Sequence, residues 1–189
     1  FMIDFCSGQV KVTQALALNY ETRPGGFIIT VRAFIYGFEG AETIRNVSIA
    51  LVDANDPPVI TNQARAVNEN SGAGVLVGAP VAWSDTDTFG GNVVWFTQSF
   101  SIVAGNDRGV FAVNSTTGQI SVATGGPALL NFEDANSNVY NLLVRVTDGG
   151  GASATATVTI NVLNINEPPT FIDSTYARSI DENCPRSPR

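Results

Sequence analysis

The chain has 189 residues and is apolar, weakly charged and acidic: 44% of its residues are hydrophobic, 14% are charged, and the formal net charge is −7. So apolar a composition argues against a disordered chain, and the negative charge argues against a nucleic-acid partner, which needs a positive surface. No apolar run approaches the roughly 20 residues needed to cross a bilayer, so any membrane attachment is expected through a segment outside this sequence.

The predicted elements are short strands, because apolar and polar residues alternate wherever a pattern is clear. In chain order, the residues expected to point inward are Val47, Ile49 and Leu51 in the first such strand, Tyr140, Leu142, Val144 and Val146 in the next, and Ala154, Ala156, Val158, Ile160 and Val162 in the last. Glycine- and asparagine-rich turns separate the strands. About seven strands in about 110 residues predict an all-β Greek-key sandwich.

One unit returns along the chain. The segment V-D-A-N-D-P-P-V-I (52–60) is matched by L-N-I-N-E-P-P-T-F (163–171), 111 residues later. In the same order, G-Q-V-K-V (8–12) returns as G-Q-I-S-V (118–122). The motif L-N-Y-E likewise returns as L-N-F-E, and V-N-E-N as I-D-E-N. Such a period predicts a tandem array.

The array is expected to divide the chain into three parts. Residues 1–56 (repeat A) are predicted to be the back half of one repeat, residues 57–167 (repeat B) a complete repeat, and residues 168–189 (repeat C) the first strand of another. Because half a sandwich cannot bury its inner face, repeats A and C are expected to be frayed. Cys6 and Cys184 lie in different repeats, so no disulfide is expected between them.

Acidic residues interrupt the strand pattern of repeat B only at strand ends and in turns. They are Glu69, Asp85, Asp87, Glu133 and Asp148. Because alternate turns of an up-and-down sandwich lie at opposite ends, these carboxylates can form two sets, one at each end of the repeat.

The order E-N, D-x-D, L-x-x-E, x-D-G and N-D/E-P-P at this period resembles the cadherin repeat, over essentially the whole chain. The resemblance implies seven-stranded sandwiches joined end to end, with calcium bound at the junctions. Between repeats A and B it implies the side-chain ligands Glu21, Asn55, Asp56, Asp85, Asp87 and Asp148, with backbone carbonyls at Ala54 and near Asn92. Between repeats B and C it implies Glu69, Glu133 and Glu167.

The charge of the implied A/B site favours the same ion. Five of its six side chains are carboxylates, and like charges held so close raise one another's pKa values unless a cation is bound. Calcium suits such a cluster, because it takes roughly six to eight oxygen ligands, carbonyls included, in a flexible geometry.

The resemblance implies a calcium-stiffened, extracellular part of a membrane-anchored adhesion protein, whose partners would be other cadherin-type ectodomains in homophilic or heterophilic contact. The alternative is a non-adhesive spacer in a bacterial or protist surface protein or in a secreted enzyme. Paired acids also occur in glycosidases. However, these acids recur at the repeat period and histidine is absent, so no catalytic activity is expected.

Two tripeptides match the N-glycosylation sequence, N-V-S at Asn46 and N-S-T at Asn114. Chance occurrence is the alternative for both.

Overall fold

A computed structural model describes residues 1–14, 18–38, 40–87, 95, 97–169, 171, 179 and 182. The described residues form β-strands and one short 3-10 helix (Pro127–Leu129), and no α-helix occurs among them. In chain order the strands are β1 (Met2–Ile3), β2 (Val10–Lys11), β3 (Phe27–Phe34), β4 (Glu42–Ile49), β5 (Val59–Ile60), β6 (Gln63–Asn68), β7 (Trp83–Ser84), β8 (Gln98–Ala104), β9 (Phe111–Val113), β10 (Ile120–Val122), β11 (Val139–Asp148) and β12 (Ser153–Leu163). The predicted all-β class is confirmed. None of the helical structure in these ranges is long and apolar enough to cross a bilayer.

The main sheet of repeat B has four strands in the order β6-β12-β11-β8. Strand β12 pairs antiparallel with β11 and parallel with β6. The predicted alternation is confirmed on both central strands: Leu142 and Val144 on β11, and Val158 and Ile160 on β12, have no exposed surface. These side chains form one face of the core.

A second layer covers that face. It contains the pairs β5–β7 and β9–β10, and Phe111, Ile120 and Val122 from it pack in the same hydrophobic cluster as the β11 and β12 side chains. The first strand of the repeat is shared between the layers, since β5 pairs with β7 whereas β6 pairs with β12. Asn62 lies between the two halves, and its Oδ1 accepts a hydrogen bond from Thr157 N at 2.9 Å.

Repeat A has paired strands but no buried side chain among its described residues. Strands β3 and β4 pair along their whole length, and the Phe1 ring packs edge-on against Phe27 at the start of β3. Val47 is 39% exposed, and Ile49 and Leu51 are half-buried, so the prediction that all three are buried was wrong. The alternation identified the strand correctly, but too little structure lies over that face to bury it.

Most of repeat C, including Cys184, lies outside the described residues. The predicted division into three repeats therefore stays a prediction.

Candidate metal centre

Three chain segments meet where repeat A joins repeat B: the turn before β3, the linker before β5 and the loop after β7. Each contributes one acid to a close group, in which single carboxylate oxygens of Glu21, Asp53 and Asp87 all lie within 4.8 Å of one another. Glu21 lies within a turn in which Asn19 Oδ1 accepts a hydrogen bond from Thr22 N at 2.7 Å. Side-chain caps of this kind fix a turn locally, so the turn holds Glu21 toward the linker.

Hydrogen bonds join the linker to the loop after β7. Asp56 N donates to Asp87 Oδ2 at 2.8 Å, and Thr86 Oγ1 donates to Asp56 Oδ2 at 3.2 Å. Within the loop, Asp87 N donates to Asp85 Oδ1 at 3.0 Å. Each bond uses one oxygen of a carboxylate, so the second oxygen of Asp85 and of Asp87 stays available.

The linker also meets the β11–β12 hairpin. Asn55 Nδ2 donates to Asp148 Oδ2 at 3.0 Å, and Asp148 Oδ1 accepts a hydrogen bond from Ala152 N at 2.9 Å. A Cβ at Gly150 would overlap the Asn55 amide, so the close approach of the linker depends on the absence of a side chain at that position.

The junction collects unpartnered buried oxygens. Among the described residues, five buried side-chain atoms lack a hydrogen-bond partner: Glu21 Oε1, Asp53 Oδ1, Asn55 Oδ1, Asp85 Oδ2 and Asp87 Oδ1. All five are oxygens, and all belong to this junction. Leaving a buried acceptor unsatisfied costs about 1–3 kcal/mol, and more when it is charged. A bound cation would remove that cost, so the donor set fits a hard, oxygen-binding metal ion.

The charges at the A/B junction are also consistent with a cation site. Asp87 is 5% exposed, and its burial raises the pKa of the carboxyl above the ordinary value. The hydrogen bond from Asp56 N opposes that rise, whereas the negative charges of Asp85, Asp56 and Asp53 add to it. Without a bound cation, the junction is therefore a site of charge repulsion.

A second acidic group lies at the opposite end of repeat B. Carboxylate oxygens of Glu69, Glu133 and Glu167 lie within 4.8 Å of one another. Glu69 is 1% exposed, and it accepts hydrogen bonds from Phe132 N at 2.9 Å and Ile165 N at 2.8 Å. These two backbone donors lower the pKa of Glu69, against the effect of its burial.

The other two acids of this second group already have partners. Asn164 Nδ2 donates to Glu133 Oε1 at 3.2 Å, and Asn70 Nδ2 donates to Glu167 Oε1 at 2.6 Å. Both glutamates are exposed to solvent. The second group is therefore better satisfied without a metal than the first.

The predicted site side chains lie at the two junctions, and their roles as ligands stay predictions. Asp53 was not among the predicted ligands, although it lies in the three-acid group with Glu21 and Asp87. The sequence offers one signal for Asp53, because this residue opens the proline segment whose second copy opens with Asn164. Asp148 lies beside the group with both of its oxygens already hydrogen-bonded. The backbone near Asn92 lies outside the described residues.

A family model, the Cadherin domain, matches residues 63–163, which is more than half of the chain. This chain belongs to the cadherin family. Mouse Protocadherin Fat 4 is 32% identical to it over 174 residues, and rat Desmoglein-4 is 31% identical over 195 residues. These matches cover 89% and 97% of this cadherin chain, but only 3% and 18% of the two relatives.

Solved cadherin structures share its fold. Extracellular cadherin domains 1–4 of Protocadherin Gamma B7 align with a TM-score of 0.59 at 23% identity, covering 77% of this chain and 34% of that one. Domains 22–24 of mouse Cadherin-23 align with a TM-score of 0.56 at 21% identity, covering 78% and 45%. The predicted sandwich architecture is confirmed by these alignments, which show a shared fold and nothing further.

Proposed function

We propose that this chain binds calcium at its two acidic junctions and thereby stiffens an extracellular cadherin array that mediates cell–cell adhesion. The proposed ligands of the A/B junction are Glu21, Asp53, Asn55, Asp56, Asp85, Asp87 and Asp148. Those of the B/C junction are Glu69, Glu133 and Glu167. The proposed partners are other cadherin-type ectodomains, most simply copies of the same protein.

The five unpartnered oxygens of the A/B junction carry this proposal. They come from the turn before β3, from the linker and from the loop after β7, so one ion bound to them would tie three segments together. Calcium suits them better than magnesium, which demands a near-ideal octahedron and keeps several of its waters. Bound in this way, the ion would resist bending of the linker.

The two junctions are proposed to differ in affinity. Asp53 and Asp87 at the A/B junction each keep a buried oxygen without a hydrogen-bond partner. The acids of the B/C group already accept hydrogen bonds from backbone or asparagine groups, which a metal would have to replace or share. We therefore expect calcium to fill the A/B junction first.

Isothermal titration of the whole chain with calcium tests this function. Binding in the range of about 10⁻⁴–10⁻³ M is expected for an extracellular module, with little heat from magnesium at the same concentration. Glu133→Gln should leave the tighter phase unchanged, whereas Asp53→Asn should weaken it. Absence of both binding heat and a rise in melting temperature at millimolar calcium would refute the proposal.

A separate experiment tests adhesion. The ectodomain that contains this chain, coupled to beads, should aggregate them in calcium and release them in chelator. Persistent dispersion in calcium, with calcium binding intact, would favour the non-adhesive spacer. We infer no catalytic role, since the acids lie at the ends of the repeat where the linkers cross them.

A further inference from the structure

The turn between β9 and β10 is closed by an asparagine side chain. Asn114 Oδ1 accepts hydrogen bonds from Thr116 N and Thr117 N, both at 3.0 Å. The backbone adds two hydrogen bonds: Asn114 N donates to Gln119 O at 2.8 Å, and Gly118 N donates to Asn114 O at 2.9 Å. Every partner lies within five positions of Asn114, so the turn forms without a distant contact.

Repeat A contains the same turn with an aspartate at its head. Asp4 Oδ1 accepts hydrogen bonds from Cys6 N at 3.1 Å and Ser7 N at 2.8 Å. The backbone hydrogen bonds also match: Asp4 N donates to Gln9 O and Gly8 N donates to Asp4 O, both at 2.8 Å. The glycines that end the two turns have φ values of 69° and 70°, the left-handed region that glycine adopts without strain. The fold therefore requires a side-chain oxygen at this position and makes no use of an amide nitrogen.

The nitrogen of Asn114 and the hydroxyl of Thr116 thus have no structural task in the turn. Both residues are exposed, and neither group donates a hydrogen bond to another described residue. Asn114 and Thr116 stand in the N-S-T order that N-glycosylation requires, and the Thr116 N–H already holds the Asn114 carboxamide oxygen. We infer that Asn114 carries an N-linked glycan.

The modification is a substitution at the sugar. Asn114 Nδ2 attacks the anomeric carbon of an oligosaccharide linked through a diphosphate to a lipid, so that a C–N bond forms. The C–O bond to the diphosphate breaks, the lipid diphosphate leaves with the electron pair, and the nitrogen gives up one proton. The inference rests on the proposed extracellular role in one respect only, because the chain must be exported to meet the oligosaccharide. The proposed calcium ligands are other residues.

Asn114 is exposed, and its turn lies at an edge of the main sheet. Strand β8 is an edge of the four-stranded sheet, and the turn docks beside it: Phe100 N donates to Ser115 O at 2.8 Å, and Gln98 Nε2 donates to Thr116 O at 3.2 Å. A bulky sugar there would shield an edge that could otherwise pair with another chain.

The second N-glycosylation tripeptide differs in structure. Asn46 lies within β4, where it pairs with Thr30 on β3, and its Oδ1 accepts a hydrogen bond from Thr30 Oγ1 at 2.9 Å. Its carboxamide is held across the sheet rather than by the N–H two positions ahead. The tripeptide at Asn46 therefore serves as an internal comparison for the turn at Asn114.

The test is to express the whole chain behind a secretory leader in animal cells. Intact mass and peptide mapping should show a glycan on Asn114, and peptide N-glycosidase in heavy-oxygen water should leave a labelled aspartate there. Asn114→Asp and Thr116→Ala should abolish the glycan, and Thr116→Ser should keep it. Asn114→Asp should also keep its melting temperature and its calcium titration, because Asp4 closes the same turn.

An unmodified Asn114 in the secreted protein, or a glycan on Asn46 alone, would overturn the inference. Calcium titration of the same secreted protein gives an independent result, so failure of the glycan and failure of the proposed calcium site are distinguishable.

Discussion

Asp87 is buried among other carboxylates. Its ionised form is therefore unfavourable unless a cation is bound nearby. Its carboxyl has a raised pKa, chiefly because burial penalises the ionised form. A carboxyl whose pKa is higher in the folded state than in the unfolded state lowers stability once it ionises. In calcium-free protein this deficit grows as the pH rises from the ordinary value of 3.8 through the folded-state pKa, and it is absent below 3.8.

Replacing Asp87 should therefore have opposite effects with and without calcium. Without calcium at neutral pH, Asp87→Asn should melt at or above the wild-type temperature, and the difference should vanish on acidification. With calcium at about a hundred times Kd, the wild type should gain about 2.7 kcal/mol, and the variant much less. Thermal melts in chelator and in calcium measure both effects, with Asp107→Asn, an exposed turn acid, as the control. A variant stabilised by calcium as strongly as the wild type would contradict the assignment.

Gly150 offers a test that removes no ligand. A methyl group there would overlap the Asn55 amide, so Gly150→Ala should displace Asn55 and weaken calcium binding about tenfold, or about 1.4 kcal/mol. Titration calorimetry measures the change. Gly72→Ala is the matched control, because a Cβ at Gly72 meets open space. Equal affinities for the two variants would show that the approach of Asn55 is unimportant.

The sequence predicted that Glu21 and Asp87 come together, because motif order and period can be read directly from the sequence. Asp53 was missed because the neighbouring Asn55 and Asp56 matched the linker motif, and only the folded linker shows that Asp53 also points into the group. The hydrogen bond from Asn55 to Asp148 joins a linker and a hairpin that are 93 residues apart, and no local pattern reports it.

At the scale of elements, two antiparallel pairs of the same kind differ in what covers them. Strands β11 and β12 lie inside a sandwich, with Leu142 and Val158 wholly buried. Strands β3 and β4 pair along their whole length but leave Val47, on the face expected to point inward, 39% exposed. Alternation predicts which side chains share a face, and it cannot report whether another layer lies over that face. That is why the prediction was right for β12 and wrong for Val47.

Hydrogen exchange should separate the two pairs. Amides of β11 and β12 should exchange only on global opening, whereas those of β3 and β4 should exchange orders of magnitude faster, because little apolar burial opposes local opening. Both pairs are antiparallel ladders, so each controls for hydrogen bonding in the other. Equal protection would indicate that the β3–β4 pair is stabilised by contacts beyond the described residues.

At the scale of the whole molecule, the linker joins the two repeats and lies against acids from both of them. Asn55 and Asp56 contact repeat B through Asp148 and Asp87, and Glu21 reaches the same point from repeat A. With calcium bound, we expect this junction to hold one orientation. Without it, mutual repulsion of the carboxylates should let the linker bend.

Small-angle X-ray scattering in calcium and in chelator should detect the difference. Calcium should narrow the distribution of interatomic distances and lengthen the molecule, and Asp53→Asn should reduce that response while circular dichroism stays unchanged. Magnesium at the same concentration serves as the control ion. Identical scattering curves in calcium and chelator would mean that the junction is rigid without metal.

The linker is both the covalent connection between repeats A and B and a source of proposed ligands. These two roles together have a consequence for proteolytic degradation of the protein. A protease that cuts between Asp53 and Asp56 would leave the strands of both repeats uncut, yet it would separate the proposed ligands and so release an ion bound by them. Loss of the ion would in turn expose the cut ends to further digestion. Damage at one joint would thus be self-reinforcing, and the calcium level outside the cell would set how long each joint survives.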